Sequence, residues 1–133
     1  MATRSRIGLR LAEDAILSVY HHWDGYPSWL GIVLNRKFNT REKVAELLDG
    51  GDISCIDSDK DWNNQEREHH VLYYNDRGEK TEPELHLNEE DYFADGEEYA
   101  YIFDDNGWTC YDLHYSEPQI VEIPENHPTE LAV

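Results

Sequence analysis

YAYIFDDNGWTCYDLH, residues 99–114, reads as two β-strands around a tight turn. The runs 99–103 and 108–114 are rich in aromatic residues, and Asp104-Asp105-Asn106-Gly107 lies between them. Asn-Gly flanked by such runs is the strongest short-range hairpin signal, because the turn needs residues that tolerate a positive φ. No other stretch fixes two strands and their connection at once.

Working outward, residues 5–11 (SRIGLRL) alternate, with Ile7, Leu9 and Leu11 on one face and Arg6, Gly8 and Arg10 on the other. That is the period of a half-buried strand. Residues 12–15 are polar enough to turn, and 16–22 (ILSVYHH) return as the second strand of an antiparallel hairpin. Residues 69–75 (HHVLYYN) form a further strand, turned at 76–79, with 81–87 as its return partner.

Helical spacing appears twice between these strands. Leu30, Val33, Leu34 and Phe38 follow Gly25 and Pro27, and Pro suits a first helical turn. Val44, Leu47 and Leu48 follow Asn39 or Thr40 as cap, with Gly50-Gly51 as the stop. Asn88 caps an acidic turn, Glu89-Glu90-Asp91, that closes at Gly96. Residues 52–68 read as a polar loop anchored by Ile53, Ile56 and Trp62. The order β-β-α-α-β-β-(α)-β-β predicts an α+β protein: an antiparallel sheet of hairpins with two short helices packed on one face. One domain spans 1–115. Residues 116–133 form an acidic, Pro-containing C-terminal tail in which Ile120, Val121 and Ile123 are available for packing.

Charge is spread unevenly over the 133 residues. Residues 1–50 hold seven Lys/Arg and six Asp/Glu; residues 51–133 hold four and twenty-three, so the second part carries the whole net charge of −18. Such a surface repels nucleic acid and anionic membrane and attracts basic surfaces. Cys55 and Cys110 are far apart and read as reduced thiols. The N-terminal run lacks an apolar signal core and no apolar stretch approaches ~18 residues, which predicts a soluble protein of the cytoplasm.

Candidate chemistry is sparse. Tyr20, His22, Trp23, Asp24, Tyr26 and Trp29 cluster at a strand exit and read either as a small-ligand pocket or as a corner filled by Trp23 and Trp29. Adjacent His21 and His22 diverge in a strand, whereas a metal shell needs convergent ligands, so neither metal nor cofactor is expected. Cys110 sits mid-strand among aromatics, as an inert thiol does, and no nucleophile elbow or phosphate loop is present, so no enzyme activity is expected. That leaves the acids Asp57, Asp59, Asp61, Glu82, Glu84, Glu89, Glu90, Asp91, Asp95, Glu97 and Glu98. They serve either solubility or a binding face, and their mutual repulsion costs stability, which favours a functional reason.

The strings SRIGLRL, SVYHHWDGYPSWLG (18–31), VAELLDGGDIS (44–54) and EEYAYIFDDNGWTCYDL (97–113) resemble a group of small uncharacterised proteins encoded by bacteriophages and prophages. The resemblance implies an accessory protein made in a bacterial host's cytoplasm during infection. It transfers no activity to any residue. With the charge, it leads to one expectation: a non-enzymatic acidic phage protein that binds and inhibits a host protein through that protein's basic, nucleic-acid-binding or defence-related surface. A nucleotide-type ligand binder using the His22–Tyr26 corner and a minor virion component are the alternatives.

Overall fold

Residues 5–10 and 16–21 pair as sequence alternation dictates. The computed structural model describes residues 3–12, 14–57 and 70–125. In it β1 (Ser5–Arg10) and β2 (Ile16–His21) form an antiparallel hairpin with Ile7 opposite Val19. A π-helical turn, Pro27–Gly31, leads into α1 (Ile32–Lys37), and α2 (Arg41–Asp49) follows. Of the two expected caps it is Thr40 that closes α2, its hydroxyl accepting from the Lys43 amide at 3.2 Å.

Next come β3 (Ile53–Asp57), β4 (His70–Tyr73), a 3₁₀ turn (Tyr74–Arg77), β5 (Glu84–His86) and α3 (Glu89–Ala94). Asn88 caps α3 as expected, accepting from the Asp91 amide at 2.8 Å. The hairpin read first in the sequence is β6 (Tyr99–Asp104) and β7 (Gly107–Asp112), paired from Tyr99↔Asp112 to Asp104↔Gly107. Its positive φ, 99°, falls on Gly107 and not on Asn106. An edge strand, β8 (Gln119–Val121), adds antiparallel to β7.

The result is α+β, but the sheet is mixed. Its order is β4-β3-β2-β1-β6-β7-β8, with β5 also on β2. β1 runs parallel to β6, and β2 meets β3 in parallel at His21↔Ile53. Alternation specifies faces and not direction: β2 returns the chain to the end where β1 begins, and β6 starts beside Ser5 at that same end, so it runs parallel to β1.

Two further expectations change. The segment expected to be a loop contains β3, whose register slips between Ile53 and Cys55, and that irregularity hides the period of two. β3 then occupies β4, so β5 pairs with β2 instead, leaving Leu85 and Leu87 exposed.

The sheet is covered on both faces. α1 and α2 cover one, where Leu30, Val33, Leu34, Val44, Leu47 and Leu48 meet Ile7, Leu9, Val19, Tyr101 and Phe103. Val121 and Ile123 pack against this layer, so the chain beyond Ser116 contributes to the core. α3 covers the opposite face, where Tyr92 packs with Ile16, Ala100 and Ile102. Gly8 admits it: a Cβ there would stand 3.0 Å from the Tyr92 ring and 2.8 Å from Ile16.

Candidate functional site

α3 is a short helix with an acidic start. Glu89, Glu90 and Asp91 occupy its first turn, where the positive end of the helix favours carboxylates. On its other side Phe93 tilts against Tyr111 of β7, ring centroids 4.8 Å apart. Between α3 and residues 115–118 runs an open cleft of about 580 Å³, lined by Glu89, Glu90, Phe93, Tyr111, Glu117 and Pro118. A second cleft continues it, sharing Glu90, Phe93, Ser116 and Pro118 and adding Leu113 and Tyr115. Together they form one groove with an aromatic floor and acidic walls. Tyr115 is 63% exposed at its end.

The groove's charge is only partly compensated. Arg10 ion-pairs with Glu89. Among the described residues no ion pair reaches Glu90, Asp91, Glu97 or Glu117. Burial and the nearby Glu89 carboxylate push the Tyr111 hydroxyl above its ordinary pKa.

The other predicted acids go to separate places. Glu84 pairs with Arg6 at 3.4 Å, and Asp95 approaches the His86 ring. Glu98 accepts from the Arg4 amide at 2.8 Å and lies 3.4 Å from His114. Glu82 and Glu97 are exposed. Asp59 and Asp61 lie outside the described residues, as does the side chain of Asp57.

The aromatic corner is open. Trp23 is 45% exposed, so the corner expected to be filled by Trp23 is not; Tyr26 and Trp29 are half-buried, and Trp29 leans on the main core. Tyr20 and His22 do share a face: the Tyr20 hydroxyl lies 2.6 Å from His22 Nδ1, and Trp23 stands edge-on to the His22 ring. Asp24 is exposed and takes φ 58°, the left-handed region that Asp tolerates better than most side chains. The clefts described here are lined by none of these residues. His21 points the other way, buried, with Ser5 Oγ 3.3 Å from its Nδ1. Cys110 is buried and its thiol is pushed up to about 12 by burial, which keeps it protonated and unreactive.

Sequence reasoning did not bring together a polar cluster under α3. His86 is buried, its Nε2 2.8 Å from Ser18 Oγ, which accepts from Arg6 Nε at 3.0 Å. The Asp95 carboxylate stands 3.4 Å from Nδ1 and Glu84 Oε2 3.9 Å from Nε2. Ser–His–Asp is the order of a nucleophilic relay. Here Ser18 is 0% exposed in the middle of β2, so no acyl group can reach its hydroxyl. The sequence signal was the alternation that puts Arg6 and Ser18 on one face, but the partners depend on β5 pairing with β2.

Comparison with protein-family models, with curated proteins and with solved structures finds no match to this chain.

Proposed function

We propose that this chain is a non-catalytic binding protein for a basic protein surface, and that the groove between α3 and residues 115–118 is where the partner's cations sit. The observation that carries this is the pairing of uncompensated carboxylates, Glu90 and Glu117, with Phe93, Tyr111 and Tyr115 in one concave site. Carboxylates attract Lys or Arg, and aromatic faces hold the same cations by cation–π contact, about 0.5–1 kcal/mol each at exposed sites. Acids spread for solubility alone have no need of an aromatic floor. The phage-protein resemblance adds a context, an accessory protein that covers a host factor's nucleic-acid-binding surface. A basic host surface evolved for phosphates would meet here a net charge of −18.

The test is a titration of the labelled protein with a short Arg-rich peptide, followed by NMR. Shifts should centre on Phe93, Tyr111 and Tyr115, weaken with salt, and need more peptide to appear in the Glu90→Gln/Glu117→Gln double variant. The control Glu42→Gln/Glu46→Gln, equal in charge lost, should bind like the parent. Duplex DNA should not bind. Equal loss in both variants, or no localised shifts, would overturn the reading.

A further inference from the structure

We propose that Glu84, His86 and Asp95 form a binding site for a divalent transition-metal ion, of which zinc is the best fit. One imidazole nitrogen and one oxygen from each carboxylate all lie within 4.8 Å of one another. A zinc ion bonded at about 2.0–2.2 Å holds its ligand atoms roughly 3.4 Å apart, so the set must close by up to about 1.4 Å. The parts that must move are the ones able to: the Glu84 and Asp95 side chains are 60% and 57% exposed.

The imidazole is the fixed point, its side chain only 3% exposed. Nε2 is held by Ser18 Oγ at 2.8 Å, Ser18 by Arg6 Nε, and the ring lies edge-on to Tyr92. Metal-ligating histidines are oriented in this way, through the nitrogen that does not bind the metal. Nδ1 makes no hydrogen bond to a described residue, although the side chain is buried and Asp95 Oδ2 stands 3.4 Å away. It is therefore a buried nitrogen beside the Asp95 carboxylate with no hydrogen-bond partner among the described residues, and Glu84, nearest Nε2, must swing round the ring edge to join them.

Charge agrees. Glu84, Asp95 and the nearby Asp91 face His86 from β5 and α3, and Arg6 is the one cation beside it among the described residues. A nitrogen ligand with two carboxylates suits zinc; calcium and magnesium prefer all-oxygen shells. Water completes the shell on the exposed side.

Zinc chloride titrated calorimetrically into the metal-free protein should bind one ion per chain and raise the melting temperature, while magnesium at the same concentration does neither. Cobalt(II) should give visible absorption, and NMR should show the change at His86 Nδ1. Asp95→Asn and Glu84→Gln alter exposed side chains and leave the fold intact; each should weaken zinc by at least about tenfold, the lower end of what disturbing a metal site costs. Zinc affinity unchanged in both variants, or no zinc binding by the parent protein, would overturn the site. So would equal stabilisation by magnesium, which marks diffuse attraction to an acidic surface.

Discussion

The Tyr92 hydroxyl donates to the main-chain carbonyl of Tyr101 at 2.7 Å, tying α3 to the middle of the sheet. Tyr92 is fully buried, and burial pushes its pKa far above the ordinary value, so it remains a donor at any working pH. Both the groove and the His86 cluster depend on α3 holding this position.

Tyr92→Phe should therefore destabilise by about 1–2 kcal/mol, the cost of a lost buried hydrogen bond, while keeping the ring that packs on Gly8 and Ile16. Tyr92→Ala should cost about 3–5 kcal/mol, because it also leaves a cavity. Urea denaturation measures both. A Tyr92→Phe variant as stable as the parent would mean that the hydroxyl contributes nothing; equal losses in both would mean that the ring's packing contributes nothing.

His21 gives the stability a defined pH dependence. Burial, reinforced by the neighbouring His22, lowers its pKa to about 3. The unfolded chain binds a proton near pH 6.5, and the folded chain refuses it until about pH 3. Stability should thus fall on acidification from about pH 6.5 towards 3, by at most ~1.4 kcal/mol per pH unit from this group. Above pH 6.5 the term is flat. In His21→Asn the slope in that window should shrink; an unchanged slope would assign acid sensitivity to other groups.

Trp23 is half in water, so Trp23→Ala should cost far less than burial of a whole indole, below about 1 kcal/mol. Thermal melting checks this. A loss of several kcal/mol would restore the filled corner that the sequence implied.

Parts of the architecture were legible because they are local. The 99–112 hairpin carries its own turn residues, and the 5–21 hairpin its own alternation. What escaped depends on pairing at a distance. Nothing in SRIGLRL says that Ser5 lies beside Tyr99 in a parallel register, and the slip after Ile53 breaks the one pattern that would have revealed β3. The groove escaped for the same reason: Phe93, Tyr111 and Tyr115 meet only once α3 lies across β7. The sequence did expose the excess of acid, but not which carboxylates would share a wall. Ser18, His86 and Asp95 are three separate polar residues until β5 joins β2.

The groove reading makes a kinetic prediction that separates attraction from docking. Glu90 is exposed and Glu117 lies at the rim, so both act on an approaching cation through water, screened within about 8 Å at physiological ionic strength. Replacing them with Gln should slow association of an Arg-rich peptide and flatten its dependence on salt, leaving dissociation little changed. Phe93→Ala and Tyr115→Ala should do the reverse, since contacts made only in the complex set the off-rate. Tyr115 is exposed and its loss should not disturb the fold; Phe93 touches Tyr92 and Tyr111, so its variant needs a melting curve beside the kinetics. Stopped-flow fluorescence of the peptide at several salt concentrations measures both rates. An off-rate indifferent to Tyr115, with an on-rate equally damaged by the Glu42/Glu46 control, would show that only the overall charge attracts the peptide.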